Sequence, residues 1–342
     1  MSGQRTWAIR ELVETDLPRI GELFEQVMGF RRPEGHNQWK FVDNPAGRPL
    51  GMVAGVGDRI VGQYALWPTY LRLGADVVLG AQSLDTMTHP DYQGQGMFTV
   101  LANACMDLAV QRGVLALYGF PNPNSYPGFV RKLNWDHSGD VQSWVRLIRP
   151  SAHPRIPLGC RTLADIGARV LPAGRTSGLE IRIGAPALDD LGVLLQGWGK
   201  EKNACLINRT PAWMHWRFAE ASAMQYEWVT AYRGGQPIAC AVWGIDMVGG
   251  RGDGKLSELL GKDEEGLVAV LSVVVRHARE RGCPTLATVT SVDRFTGPLK
   301  RVGFLRGRKI PLIVRSMTPK SLGGNIHDHE SWQIVGSDLD TY

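Results

Sequence analysis

The chain has no paired cysteines, no basic run and no long apolar stretch, and each absence removes a class of protein. Its five cysteines, Cys105, Cys160, Cys205, Cys240 and Cys283, lie far apart. That spacing suits neither a disulfide framework nor a metal site, and it implies incidental or buried thiols in a reducing compartment. The formal charge is +5 and the pI about 9.0, yet the lysines and arginines are dispersed. Such a modest excess suits a small anionic ligand and argues against nucleic acid as partner. No stretch is long enough to cross a bilayer, and "MSGQRTWAIRELVE" lacks the apolar centre of an export signal, so a cytoplasmic protein without membrane contact is expected. "HDHE", His327 to Glu330, has no further ligands at helical spacing and reads as part of a solvated tail, with no metal bound.

What is present is a globular composition, 44% hydrophobic and 21% charged, over 342 residues, a length for about two domains. One short stretch carries chemistry. In "HPDYQGQGMFTVL", Gly94 and Gly96 precede Met97, Val100, Leu101, Ala104 and Leu108, which recur at helical steps, while Val78 to Met87 reads as a strand. Glycines in a strand-to-helix turn allow positive φ and close approach of backbone N–H groups to an anion, typically phosphate. A dinucleotide fingerprint requires a third glycine where Thr99 stands, and a P-loop requires a Lys-Ser/Thr pair that is missing.

The stretch resembles the pyrophosphate loop of the GNAT superfamily of acyl-CoA-dependent N-acyltransferases, Gln/Arg-x-x-Gly-x-Gly/Ala. Gln93, Gly96 and Phe98 align with it, Phe98 replacing the usual small residue. "NPAG", "GAQSLDTMTHPDYQGQGMFT" and "GFPNPNSYPGFVRKLNW" look like the tandem-GNAT proteins of surface-polysaccharide pathways. The resemblance implies acyl-CoA as co-substrate and a primary amine as acceptor, most concretely a nucleotide-linked amino sugar. An antibiotic, polyamine or protein amine is the alternative acceptor, and a non-catalytic acyl-CoA-binding module the alternative function. Either a monomer or a homodimer fits.

The chain also repeats itself. "QWKF" (Gln38 to Phe41) returns as "HWRF" (His215 to Phe218), "YALW" as "CAVW", "QRG" as "ERG", "VRKLNW" as "LKRVGF" and "AIRE" as "EIRI", at offsets between 169 and 177. Ordered matches in so narrow a band indicate two copies of one unit. The expected organisation is α+β: a GNAT domain with the acyl-CoA site at 1–148, a linker at 149–177, a degenerate GNAT-like domain at 178–318 and a tail at 319–342. Each copy is expected to hold a mixed, mostly antiparallel sheet flanked by helices. The first carries helices near Leu17 to Met28, at "HNQWKF", from Met97 to Arg112 and near Ser125 to Leu133. The second copy has "KDEEGLVAVL" at the equivalent turn, where Asp263, Glu264 and Glu265 suit a helix start but repel pyrophosphate.

The resemblance further implies roles. Thr86, Met87 and Thr88 would offer backbone donors to the thioester oxygen, provided the strand bulges there. Gln93, Gly94, Gln95, Gly96, Met97 and Phe98 would hold the pyrophosphate, and Asn122 and Asn124 either pantetheine amides or a helix cap. Asp85, the sole carboxylate of its strand, is the first candidate base, directly or through water; His89 is another. The family's acid tyrosine falls on Val130, which has no hydroxyl, so Tyr126, one turn earlier, is the candidate acid. Trp39 and Trp216 are candidate walls of an acceptor cleft, or core.

Overall fold

The computed structural model describes residues 6–152, 178–196, 198–199, 203–218, 224–246 and 252–341. Most of the expected linker, with Cys160, lies outside these residues; the other four cysteines are free and buried. In chain order the elements are β1 (Ala8–Glu11), α1 (Leu17–Met28), α2 (His36–Phe41), β2 (Leu50–Val56), β3 (Arg59–Leu73), β4 (Asp76–Thr88), α3 (Met97–Gln111), β5 (Ala116–Gly119), α4 (Tyr126–Lys132) and β6 (Asp136–Leu147). The series resumes with β7 (Glu180–Ile183), α5 (Leu188–Leu195), β8 (Cys205–Ile207), α6 (Pro211–Arg217), β9 (Tyr226–Arg233), β10 (Gln236–Asp246), β11 (Asp253–Gly261), α7 (Glu264–Glu280), β12 (Thr285–Val289), α8 (Asp293–Arg301) and β13 (Leu305–Ser316). None of the described helices is long and apolar enough to cross a membrane.

The helices form where the apolar period demands them. α1 buries Ile20, Leu23 and Phe24, opens with Pro18 in its first turn, and stops at Gly29, whose φ of 80° only glycine adopts freely. α3 buries Met97, Leu101, Ala102, Cys105, Met106 and Ala109. It lies so close to β3 that a Cβ on Gly62 would sit 2.1 Å from the Met97 sulfur.

Where two separate sheets were expected, the strands form one mixed α+β sheet. Its order is β1-β2-β3-β4-β5-β13-β6-β12-β11-β10-β9-β7, with β8 attached to β3. Among the described strand pairs, only β4–β5 and β11–β12 run parallel. Read from either end, the sheet presents the same succession of elements, but β6 and β13 have changed places. β13 pairs with β5 (Ile313 opposite Gly119), and β6 pairs with β12 (Thr285 opposite Leu147). Both are 12-residue strands, and they also pair with each other. An antiparallel ladder is satisfied by backbone alone, so either strand fits either slot.

Apolar side chains form three clusters: one under α3, one under α1 and α2, and a larger one spanning both halves. Trp39 and Trp216 stack at 5.5 Å and 25°. Each indole N–H donates to the other's backbone carbonyl, at 2.6 and 3.1 Å. The repeated helices α2 and α6 thus meet face to face. The tail beyond the exposed His327, Asp328 and Glu330 is not solvated. Trp332, Ile334, Val335 and Leu339 are buried, because this short apolar run folds back over both halves.

Candidate active site

The site begins as an irregularity in β4. Ala65 pairs with Leu84 and Gln63 with Met87, so Tyr64 faces two residues, Asp85 and Thr86. Asp85 takes the extra turn at φ 47°. This is a β-bulge, the feature that Thr86–Thr88 required. On its other side β4 pairs with β5 only from Gly80 to Ser83. Beyond Ser83 the edge of β4 is therefore not laddered to β5, and it leads into the glycine turn.

Gly94 and Gly96 sit at φ 76° and 74°, and no atom lies within 4 Å of a Cβ built on either. Gly96 caps α3 without a side-chain acceptor, which leaves the first-turn amides for a ligand. A cleft of about 390 Å³ opens here, lined by Thr86, Met87, Thr88, Gln93, Gly94, Gly96, Met97 and Phe98 among the expected residues. Val27, Tyr92, Thr99 and Lys132 complete it, none of them singled out by sequence. Gln95 contributes no lining; its Oε1 accepts from the Trp7 indole at 3.0 Å. Phe98 packs its ring against α4, where a Cβ on Gly128 would lie 3.0 Å from that ring, so a glycine on α4 makes room for the bulky residue. Asn122 and Asn124 lie outside the lining. The Asn122 side-chain oxygen accepts from the amides of Asn124 (2.9 Å) and Ser125 (3.0 Å), which closes the turn leading into α4, while the α4 cap residue Ser125 makes no side-chain capping bond.

The structure places the acid–base candidates differently. Asp85 is 6% exposed at its side chain, 2.7 Å from Arg32 and 3.2 Å from Lys40. Burial pushes its carboxyl up, but the two cations outweigh burial and hold it well below the usual carboxylate range. A carboxylate so stabilised is a weak proton acceptor. His89 accepts from the Asp91 amide at 3.3 Å and stands 3.5 Å from Arg59, bracing the turn outside the cleft lining. The Tyr126 hydroxyl lies 2.8 Å from His137 Nδ1, and His137 Nε2 lies 3.6 Å from Asp140. Tyr126 thus heads a chain of exchangeable protons along the α4 side.

A second cleft, about 830 Å³, lies between α1 and α2 on the far side of the bulge. Arg32 lines it while bonding Asp85 of the bulge. Glu14, Glu22 and Glu34 also line it, and none of them forms an ion pair among the described residues. Arg32 and Lys40 went unnoticed in sequence because Asp85 is 53 residues from Arg32. The repeat held one signal, since "QWKF" and "HWRF" both place a cation after the tryptophan.

At the equivalent turn of the second half, α7 is capped by Asp263, which accepts from the Gly266 amide at 2.7 Å. Arg233 bonds Asp263 (2.6 Å) and Glu265 (2.7 Å). Arg233 first, then the Gly266 amide, hold the Asp263 carboxyl below its ordinary range. The anion position is filled by the chain itself.

Comparison with known proteins agrees with this geometry. Residues 8–138 match the family described as acetyltransferase (GNAT) domain. A GCN5-related N-acetyltransferase from Anabaena variabilis is similar at TM-score 0.64 and 11% identity, covering 91% of this chain and 73% of that one. One from Kribbella flavida gives 0.61 and 16%, covering 91% and 71%. N-myristoyltransferase from Saccharomyces cerevisiae, solved with bound myristoyl-CoA, gives 0.67 and 12%, covering 92% and 79%. At such identities the likeness is one of fold. A search of curated proteins returned no match. Residues 8–138 thus carry the GNAT domain of an acyl-CoA-dependent N-acyltransferase, in a chain whose described residues share the GNAT fold.

Proposed function

We propose that the chain transfers an acyl group from acyl-CoA to the primary amine of a nucleotide-linked amino sugar, in the cytoplasm. The uncapped N-terminus of α3, beside a bulged and splayed β4, carries the transferase reading. The motifs around "NPAG" and "NSYPGF" support the sugar. In this reading the amides of Gly94 to Met97 hold the pyrophosphate with Lys132 nearby, and Thr86–Thr88 pair with pantetheine. The bulge amides face the thioester oxygen. The amine lone pair forms the new N–C bond, the C–S bond breaks, and sulfur leaves with its electron pair. Tyr126 supplies the thiolate proton and regains one through His137. Residues 1–148 and 178–318 are two copies of one unit, joined by 149–177 and closed by the segment 319–342, with only the first copy binding CoA.

A second acceptor class is favoured by one observation. Glu14, Glu22 and Glu34 line the larger cleft, which suits a cationic amine such as a polyamine over a nucleotide diphosphate. A thermal-shift screen with CoA and acyl-CoAs, each with dTDP, UDP or spermidine, separates the two. A ligand at 100 times its Kd adds about 2.7 kcal/mol. Stabilisation by CoA and a nucleotide supports the sugar; stabilisation by CoA and spermidine supports the cationic amine. CoA binding without thiol release toward any amine would mark a binding module, and no response to CoA would sink the reading.

A further inference from the structure

The sheet ends at one side in β7, and among the described residues no strand lies beyond it. β7 pairs with β9 alone, from Glu180 opposite Tyr232 to Ile183 opposite Val229, without a bulge. Its hydrogen bonds have a definite direction. The Gly184 amide donates to the Trp228 carbonyl at 3.0 Å, one step beyond that register. Antiparallel bonding alternates along a strand, so Arg182 and Glu180 also bond inward, while the N–H and C=O groups of Leu179, Ile181 and Ile183 face outward. Such an edge is ordinarily shielded by a bulge, a proline or an inward-pointing charge. β7 has neither bulge nor proline between Gly178 and Gly184, whose φ values of 82° and 112° bound it.

Its side chains match a strand of the same sequence. Glu180 and Arg182 are exposed and bond one another at 2.7 Å on one face. On the other face Ile181 packs against the large apolar cluster, whereas Ile183 is 51% exposed and Leu179 half-buried. A second β7, antiparallel to the first about a two-fold axis at Ile181, sets Ile181 against Ile181 and Leu179 against Ile183. Outward N–H and C=O groups face each other in each of these pairs. Between them Glu180 stands opposite Arg182 of the second copy, in the pairs with the shorter Cα separation. Four charges of alternating sign then form one cluster, and opposite charges directly across a ladder stabilise it. Moving the second strand by two residues sets Arg182 against Arg182, or Glu180 against Glu180. Moving it by one turns outward groups against groups already bonded to β9. The charge pattern thus selects one register. β1, at the other end of the sheet, lacks this match: Arg112 binds Glu11 (2.7 Å), Arg10 binds Asp16 (2.5 Å), and pairing about Ile9 would set Arg10 against Ala8.

We propose that the partner of this edge is a second copy of the chain, joined β7 to β7 in the register centred on Ile181. The contact is isologous, the same patch serving on both copies, and the two sheets become one across the two-fold axis. The ladder spans only the residues between two glycines, so association is reversible and depends on protein concentration. β7 lies at the end of the sheet remote from the β4–β5 splay, so the cofactor cleft of each copy stays open in the dimer.

Sedimentation velocity of the full chain over a dilution series tests this. The unaltered protein is expected to pass from monomer to dimer as concentration rises. Arg182→Glu alone, or Glu180→Arg alone, places like charges opposite each other and should weaken the dimer at least about tenfold. The two variants mixed in equal amounts restore opposite charges at both positions, and a heterodimer as tight as the unaltered homodimer is expected. Ile181→Pro removes an outward N–H while leaving the bonds to β9 in place, and it should also give monomer. Thermal melts close to that of the unaltered protein verify that the variants fold. A monomer at every concentration in the unaltered protein overturns the proposal. So does a dimer that persists in the charge variants and in Ile181→Pro, since it then forms through another face. Charge variants that remain monomeric when mixed overturn the register centred on Ile181.

Discussion

Two strand-to-helix turns occupy equivalent places in the sheet, and they differ by where the negative charge comes from. At α3 two glycines with positive φ leave the first amides bare, and the charge must arrive with a ligand. At α7 Asp263 supplies it, held by Arg233. The same exchange recurs at the neighbouring buried ion pairs. Arg32 bonds Asp85 at the edge of an open cleft, whereas Arg209, fully buried, bonds Glu258 (2.8 Å) and Asp338 of the terminal segment (2.5 Å). Ser337 adds a bond to Glu258 at 2.7 Å. At the turns, one half leaves its first helical amides open while the other fills them with its own carboxylate. A scaffold can thus be retained while a binding site is closed, by substituting internal carboxylates for external ones.

The largest effect should come from breaking the closed side. Arg209→Ala strands Glu258 and Asp338 in the core, and a loss of about 3–5 kcal/mol is expected in denaturant titration. Arg32→Ala, which leaves Asp85 with Lys40, should cost clearly less. If the two cost the same, the contrast between filled and open halves is wrong. Gly96→Val attacks the open turn: positive φ on a branched residue costs about 1–2 kcal/mol, and CoA affinity should fall at least about tenfold. Retained affinity in calorimetry would place the pyrophosphate elsewhere.

His36 sharpens the comparison through pH. Its folded-state value lies below that of the unfolded chain, so only the unfolded state takes up a proton between about pH 6.5 and 3. The contribution is complete above 6.5 and shrinks as pH falls, by roughly 2 kcal/mol at pH 5. His36→Phe should flatten that slope in thermal melts between pH 7 and 5; an unchanged slope would assign the acid sensitivity to other groups. Smallest is Asp263→Ala, which removes a cap and should cost about 1 kcal/mol without altering CoA binding. A gain of CoA binding in that variant would show that the second turn is closed by this carboxylate alone.

Much of the local structure was legible. The four helices α1 to α4 were placed to within a residue or two, α3 from the apolar spacing that its buried stripe requires, and the glycines marked the open turn because positive φ restricts residue choice. The ion pairs that organise the clefts were not legible. Arg32 and Asp85 meet through folding, and charge alone does not reveal its partner. The burial of the tail escaped because "SWQIV" is a short apolar run in polar surroundings. The exchange of β6 and β13 escaped for a deeper reason: pairing partners leave no mark on the alternation of either strand.

That exchange bears on how the chain acquires its shape. One edge of β5 pairs with β4, but the other stays empty until β13, some 190 residues later, has been synthesised and docked. Contacts of such sequence separation are slow to close, since loop entropy must be met before they form. The cofactor cleft lies at the splay between β4 and β5, so its final width is set only once β13 has docked. A fragment ending before β13 would carry an unfilled slot in its sheet, exposed to other strands until β13 arrives.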